Sequence, residues 1–191
     1  MQGEAEQEGP TLDVPTLVEV LDRHGVEVLV VGGVAALAYG ARRGTRDLDC
    51  LVRCEEQNLE RLAAAMRELG ARLRVEGLND EEAKALPLPL DGRWLRDREL
   101  STWRTDAGDF DVLTKLPGRD GRRLSYEELA GRAVAVEATG VVITVAGIDD
   151  VIASKEWANR PKDHDALSEL RDLSAQRHAR SVRPFNPRSD S

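Results

Sequence analysis

The segment from residue 30 to residue 52, VVGGVAALAYGARRGTRDLDCLV, is the part of the chain that most restricts its possible folds. It is typical of a strand ending in Gly-Gly, a short helix, an arginine-rich turn and a second strand that opens with Asp-Leu-Asp. Because strand side chains alternate between two faces, we expect Asp47 and Asp49 on one face, about 6.7 Å apart. The segment therefore predicts a rigid strand–helix–strand unit that presents two neighbouring carboxylates.

The same segment indicates chemistry on a phosphorylated ligand. Gly32 and Gly33 lie where a strand turns into a helix, and free backbone N–H groups at such a turn bind anions. A pair of carboxylates suits Mg²⁺, which proteins usually hold with one or two carboxylates and substrate phosphates. Together these features predict a nucleoside triphosphate site. Arg46, directly before the carboxylates, is a candidate phosphate contact, although a solvated side chain is the equal alternative.

The remaining pattern predicts strands mixed with helices. Helices are expected over 13–24, 33–41, 55–69, 148–159 and 162–175, with a short one after Ser125. Strands are expected over 26–32 and 47–53, with hairpins at 101–113 and 134–147. The region 71–98 has no clear pattern: ARLRVEG at 71–77 is compatible with a strand, whereas LPLPLDGRWLRDRE is broken by proline and reads as a loop. This order predicts an α/β fold with a mixed, partly antiparallel sheet and a small C-terminal helical part.

The chain of 191 residues is long enough for one domain with a substantial core. We expect a disordered N-terminus over 1–12 and an α/β core over 13–146. C-terminal helices over 147–175 should pack on that core, and 176–191 should form a flexible basic tail.

Charge and composition exclude some classes of protein. The net charge of −8 argues against a surface that is basic throughout, but leaves room for a local basic site. No apolar run approaches the roughly 20 residues that span a membrane, and the acidic first residues do not resemble a signal peptide. We therefore expect a cytoplasmic protein. Its two cysteines, Cys50 and Cys54, are expected to be structural thiols rather than part of a zinc site.

Two further motifs extend the first one. A lone acid, Asp111, follows in the apolar strand FDVL, and the chain closes with DDVIASK at 149–155 and NRPKDHD at 159–165. The order of Gly-Gly turn, Asp-x-Asp strand and third acid resembles the polymerase-β-type nucleotidyltransferase superfamily. The closing motifs are similar to those of the AbiEii/MenT-type nucleotidyltransferase toxins and their minimal relatives. The resemblance covers about 25–54 and 107–174 and leaves 71–106 unmatched.

The resemblance implies a metal site of three acids. Asp47 and Asp49 would be the metal ligands, with Asp111 binding metal or activating the acceptor hydroxyl. The cofactor would be Mg²⁺ or Mn²⁺. Asp109 has the same parity on the same strand and competes with Asp111, but apolar residues flank Asp111, which favours the deeper position.

The resemblance also implies a phosphate site. Gly32 and Gly33 would hold the triphosphate through backbone N–H groups, since many family members have serine where this chain has Gly33. Lys155 would neutralise phosphate charge, and Asp163 occupies the last polar position of the family motif. The alternatives are that Lys155 borders an apolar helix face without a site role and that Asp163 caps the last helix.

The expected function is metal-dependent transfer of a nucleoside monophosphate from a nucleoside triphosphate to an RNA acceptor. The resemblance implies the 3′ end of tRNA as the acceptor and a toxin whose partner is a neutralising antitoxin. Basic segments at 93–98, 116–123 and 171–188 favour RNA. The alternatives are nucleotidylation of a partner protein, or of a small hydroxyl compound such as an aminoglycoside. A non-catalytic nucleotide- or protein-binding module is a further alternative, which the retained acids and Lys155 argue against.

Overall fold

A mixed β-sheet forms the centre of the molecule in the computed structural model, which describes residues 10–138 and 140–181. The strands are β1 (Val28–Val31), β2 (Asp47–Val52), β3 (Arg72–Leu73), β4 (Leu100–Thr105), β5 (Gly108–Leu113), β6 (Leu116–Pro117), β7 (Arg123–Leu124), β8 (Val134–Ala138) and β9 (Val141–Val145). The helices are α1 (Val14–Arg23), α2 (Gly32–Tyr39), α3 (Glu56–Glu68), α4 (Asp80–Lys84), α5 (Gly92–Arg96), α6 (Tyr126–Ala130), α7 (Ile148–Ala158) and α8 (His164–Ser181).

Seven strands form the sheet in the order β3-β4-β5-β2-β1-β9-β8, and β6 pairs with β7 in a separate small hairpin. The central pairs β2–β5 and β1–β9 are parallel, whereas β1–β2, β3–β4, β4–β5 and β8–β9 are antiparallel. This arrangement confirms the predicted mixed, partly antiparallel α/β sheet. It also places the strand that carries Asp47 and Asp49 beside the strand that carries Asp111.

Aliphatic residues fill most of the core, as the small number of aromatic residues requires. The central strands are the most apolar, and Leu48, Leu51 and Phe110 are completely buried. Trp103 of β4 packs edge-to-face on Trp94 of α5, with ring centroids 5.2 Å apart. Because these central strands are closely packed, the sheet is a rigid support for the acidic side chains that β2 and β5 carry.

The region without a clear sequence pattern contains two short helices, and the second, α5, lies where a loop was expected. Asn79 and Glu82 form a capping box at the start of α4, so this helix begins with both cap hydrogen bonds satisfied. Asp91 caps α5 by accepting a hydrogen bond from the backbone N–H of Trp94. The predicted strand at 71–77 is reduced to β3. The loop prediction was therefore wrong for 92–96, where tertiary burial of Trp94 outweighs the proline-rich context.

The ends of the chain also differ from expectation. Helix α8 continues to Ser181 instead of ending at 175, so the predicted flexible tail begins as helix. Leu12, expected in a disordered segment, packs against the core and lies against Gly108. The rest of the predicted disordered segment and tail, 1–9 and 182–191, lies outside the described residues. Within the described ranges, no helix combines the length and the apolar character needed to cross a membrane.

Candidate active site

Three adjacent strands bring the predicted acids together. In the register of the sheet, Asp49 of β2 lies opposite Val31 at the end of β1 and beside Asp111 of β5. Asp47 lies beside Asp109 in the same way. Residues in register share a face of the sheet, so all four carboxylates project on the same side.

Asp47, Asp49 and Asp111 form a compact cluster. Each offers a carboxylate oxygen within 4.8 Å of those of the other two. The Thr45 hydroxyl donates a 2.7 Å hydrogen bond to the Asp47 carboxylate. The backbone N–H of Gly33 donates to the Asp49 carboxylate. These bonds orient two of the acids before any ligand is present.

Neighbouring cations compensate the negative charge of the cluster only in part. Burial, followed by the neighbouring charge of Asp47, raises the pKa of Asp49 to about 6. Burial also raises the pKa of Asp111 to about 7; Arg74 opposes this increase, and the other three acids of this face, including Asp109, reinforce it. Carboxylates that repel one another in a buried position are stabilised when a cation joins them.

The donor set fits a divalent metal. Three carboxylates with oxygens this close supply the hard ligands that Mg²⁺ and Mn²⁺ prefer. Asp47, Asp49 and Asp111 would hold the ion or ions. The choice of Asp111 over Asp109, made from its apolar flanks, agrees with this grouping, since Asp109 accepts from two arginines instead.

The Gly-Gly turn packs directly against these acids. Gly32 adopts a positive φ of 63°, and a Cβ at this position would overlap the carboxylate of Asp49. A Cβ at Gly33 would overlap the Thr45 side chain. The N-cap residue of α2, Val31, makes no side-chain cap bond at this turn. The first turn of α2 thus presents backbone N–H groups beside the acids, as an anion site requires, and that of Gly33 donates to Asp49 in this structure.

Lys155 and Asp163 form a buried ion pair next to the acids. Lys155 Nζ donates to Asp163 Oδ1 at 3.1 Å, and both side chains are almost fully buried. Arg160 donates to the other oxygen of Asp163 at 2.7 Å. Lys155 and Arg160 both act on Asp49 and lower its pKa. The structure therefore makes Asp163 the shared anchor of two cations, whereas the alternative was a simple helix cap.

Arg74 is a site residue that the sequence analysis missed. It follows β3, and its backbone N–H donates to the Thr102 carbonyl at 2.9 Å. Thr102 lies opposite Asp111 in the sheet, so Arg74 stands in the same cross-strand row. Its guanidinium donates to Asp109 at 2.6 Å and to Asp111 at 3.4 Å. The alternating RLRVEG pattern was a weak signal, because nothing in it identified the strand that Arg74 would face.

Arg46, the remaining predicted site residue, is exposed in the loop directly before β2. Its position next to Asp47 leaves the predicted phosphate contact as a proposal.

Comparisons with known proteins support the nucleotidyltransferase fold. No protein-family model matches the chain, and no curated sequence matches it. The chain is similar in structure to the antibiotic-resistance factor ANT(2'')-Ia in solution, at 17% identity and a TM-score of 0.54, covering 88% of this chain and 84% of that one. A crystal structure of ANT(2")-Ia in complex with adenylyl-2"-tobramycin gives a TM-score of 0.52 at 16% identity, over 88% and 97% of the two chains.

A second similar structure is the lincosamide antibiotic adenylyltransferase LnuA with bound lincomycin. The TM-score is 0.56 at 11% identity, and the alignment covers 85% of this chain and 99% of that one. At these identities the likeness establishes the fold. The chain has the fold of the polymerase-β-like nucleotidyltransferases.

Proposed function

We propose that this protein is a metal-dependent nucleotidyltransferase, which moves a nucleoside monophosphate from a nucleoside triphosphate to an acceptor hydroxyl and releases pyrophosphate. The observation that carries the proposal is the cluster of Asp47, Asp49 and Asp111 against the Gly-Gly turn. Two structural neighbours support it: LnuA is named an adenylyltransferase, ANT(2")-Ia is in complex with an adenylylated antibiotic, and both are similar to this chain in fold. A decayed binding module would not need to retain three mutually repelling acids.

The chain's own residues divide the work of the reaction. Divalent metal, when bound, supplies Lewis-acid stabilisation of charge on the phosphoryl oxygens. Backbone N–H groups at Gly32 and Gly33, with Lys155, bind and orient the triphosphate, and the Gly33 N–H exchanges its bond to Asp49 for one to phosphate. Asp111 accepts the proton of the acceptor hydroxyl at its carboxylate. Asp163 holds Lys155 in place for this role.

For the acceptor we propose RNA, with the 3′ end of tRNA as the substrate, Mg²⁺ as the metal, and the role of a toxin held in check by an antitoxin protein in the cytoplasm. The support is the resemblance of the closing motifs at 149–155 and 159–165 to the AbiEii/MenT-type toxins. The basic segments 93–98 and 116–123 add positive charge on the outside of the molecule.

A small hydroxyl compound is the second candidate acceptor. The observation that favours it is the likeness in fold to ANT(2")-Ia with adenylyl-2"-tobramycin and to LnuA with lincomycin. The two acceptor classes differ in charge, since RNA is a polyanion and an aminoglycoside is a polycation. Nucleotidylation of a partner protein is the third.

One labelling experiment tests the activity and ranks the acceptors. The full chain is incubated with Mg²⁺ and each α-labelled nucleoside triphosphate in the presence of total tRNA, tobramycin, lincomycin or a cell lysate. We expect label in tRNA and none with Asp49→Asn. Label in an antibiotic or a protein instead would replace the RNA acceptor, and the absence of label in any acceptor would contradict the proposed activity.

A further inference from the structure

Two groups of cations flank the three acids, one on each side. Lys155 and Arg160 lower the pKa of Asp49 on the β2 side of the cluster. Arg74 is the cation that acts on Asp111 on the β5 side. The cations therefore approach the acids from two directions.

A carboxylate outside the cluster anchors the cations on each side. Asp163 holds Lys155 and Arg160. Asp109 holds Arg74 with a 2.6 Å hydrogen bond and also accepts from Arg104 at 3.1 Å. This anchoring fixes where each positive charge is presented.

Arg104 is in turn part of a larger network at this edge of the sheet. It also donates to Asp80 at 3.3 Å, and Asp80 pairs with the buried Arg72. Arg72 donates to Asp106 at 3.0 Å. Arg74 and Asp109 thus rest on a connected set of ion pairs, whose members constrain one another's rotamers.

The reaction geometry assigns the two sides to different substrates. The leaving and attacking oxygens of an in-line displacement lie on opposite sides of the phosphorus. The start of α2 at Gly32, where the N-cap residue makes no side-chain bond, provides the triphosphate side together with Lys155. The acceptor hydroxyl then arrives from the side of Asp111, where Arg74 stands.

Arg74 is available to an incoming group. About 32% of its side chain is exposed, compared with 19% for Arg104. Its contact with Asp111 is long, at 3.4 Å, whereas its contact with Asp109 is short, at 2.6 Å. The guanidinium can therefore exchange the long contact for a ligand oxygen while Asp109 keeps it in position.

We infer that Arg74 is the specificity-determining residue for the acceptor, and that it binds the phosphodiester next to the attacking hydroxyl of a single-stranded RNA end. This inference rests on the proposed nucleotidyl transfer and deepens it by assigning the acceptor side. A planar guanidinium binds phosphate through paired hydrogen bonds. A polycationic acceptor offers the guanidinium no such pair of acceptor oxygens.

The test measures RNA binding without turnover. The full chain, in Mg²⁺ buffer without nucleoside triphosphate, is titrated against a short fluorescent single-stranded RNA that ends in a 3′ hydroxyl. A second RNA carries a neutral methylphosphonate in place of the last phosphodiester. Fluorescence anisotropy gives both dissociation constants at several KCl concentrations for wild type, Arg74→Gln and a control, Arg61→Gln. Arg61 lies on α3, and its guanidinium donates to the carbonyl of Gly25, which precedes β1. The acids lie at the opposite end of that strand, beside Val31.

We expect the wild-type protein to bind the methylphosphonate RNA about tenfold more weakly than the normal RNA, as the loss of a charge-assisted contact predicts. Arg74→Gln should bind both RNAs alike, at the weaker level. Its log–log salt slope should be smaller by about 0.7, the value for one phosphate contact on a single strand. Arg61→Gln should behave as wild type.

Two results would overturn the inference: a wild-type protein that does not distinguish the two RNAs, or an Arg74→Gln variant that still does. Either result leaves nucleotidyl transfer itself standing if the labelling experiment is positive. Conversely, Arg74-dependent discrimination without label in any acceptor would refute the transfer activity and retain a phosphodiester site at Arg74.

Discussion

At the scale of single residues, the acids of the cluster make the metal-free protein sensitive to pH. The pKa of Asp49 is raised from 3.8 to about 6 and that of Asp111 to about 7. Between pH 4 and 7 the folded protein therefore retains protons that the unfolded chain releases, and the free energy of unfolding falls as pH rises. Groups with a lowered pKa, such as Asp163, titrate below this window.

We predict that the melting temperature in chelator is several degrees higher at pH 5 than at pH 8. One pKa unit corresponds to about 1.4 kcal/mol, and each kcal/mol to about 2–4 °C for a chain of this size. Thermal unfolding of wild type and of the Asp49→Asn, Asp111→Asn double variant provides the comparison. The double variant should be less sensitive to pH, and an equally steep dependence would refute the assignment.

Metal addition should reverse this effect. We predict that Mg²⁺ or Mn²⁺ raises the melting temperature of wild type at pH 8, because a ligand that binds only the folded state stabilises it. The increase should be smaller at pH 5, where protons compete for the same carboxylates. Asp47→Ala or Asp49→Ala should abolish both the increase and nucleotidyl transfer. A full metal-induced increase in either variant would exclude the proposed ligands.

The two acids of β5 should separate in function. Asp111→Asn is expected to reduce transfer by about 10²-fold or more, the scale of general-base and metal contributions. Asp109→Asn should cost much less and act on acceptor binding, because Asp109 contacts Arg74 and Arg104 and positions them. Steady-state kinetics with varied acceptor and varied nucleoside triphosphate distinguish the two. The opposite ranking would contradict the assignment of Asp111 as the third acid.

Lys155 tests the triphosphate side. Lys155→Ala should weaken use of the nucleoside triphosphate about tenfold, as loss of a charge-assisted phosphate contact implies. Lys155→Arg should rescue only partly, since the planar guanidinium does not reproduce the geometry of the ammonium that contacts Asp163. The measurement is KM for the nucleoside triphosphate, with the melting temperature as a check of folding. Normal values in both variants would place Lys155 outside the site.

At the scale of elements, the turn between β1 and α2 leaves the space that the Asp49 carboxylate occupies beside the start of the helix. Gly32 and Gly25 both have positive φ, of 63° and 65°, but only Gly32 has the Asp49 carboxylate where a Cβ would be. An alanine at Gly25 therefore introduces backbone strain alone, whereas an alanine at Gly32 introduces the same strain and a steric overlap with Asp49. Gly25 has no atom within 4 Å of such a Cβ.

We predict that Gly25→Ala lowers stability by about 1 kcal/mol, the cost of a side chain in the left-handed region. Gly32→Ala should cost more and should also abolish metal-induced stabilisation, because the new methyl group displaces Asp49. Melting temperatures with and without Mn²⁺ measure both effects. Equal behaviour of the two variants would show that the turn does not position the acid.

At the scale of the whole molecule, the basic C-terminal segment divides into parts with different roles. Arg171 pairs with Glu156, and the Arg177 guanidinium lies over the Tyr39 ring at 4.8 Å, so both contact the folded core. Ser174 is buried and donates to Asp149 at 2.8 Å. A truncation after Leu173 would remove most of the basic segment, but it would also shorten α8 and remove the contacts of Ser174 and Arg177 with the core.

We predict that a truncation after Ser181, which removes Arg183 and Arg188, weakens RNA binding and flattens its salt dependence by up to about 0.7 per arginine. Binding of nucleoside triphosphate should be unchanged, because that site is built from residues 30–163. Anisotropy titrations over a range of KCl provide the slopes. An unchanged slope would show that this segment does not contact RNA phosphates.

The amino-acid sequence by itself determined the local features of the protein. Strand parity placed Asp47 and Asp49 on one face, and apolar flanks favoured Asp111 over Asp109, because both depend only on backbone geometry and burial of neighbours. The mixed α/β class followed from the order of apolar periodicities. Helix α5 was missed because Trp94 gains its burial from β4, which lies outside any local window.

Only the tertiary structure decided how distant segments meet at the site. The β2–β5 register set the three acids within 4.8 Å of one another, which no sequence spacing between 49 and 111 could specify. Packing of α7 against the turn after it made Asp163 the anchor of Lys155. Arg74 became a neighbour of Asp111 because β3 pairs with β4 and β4 with β5, and such pairing is a property of the assembled sheet.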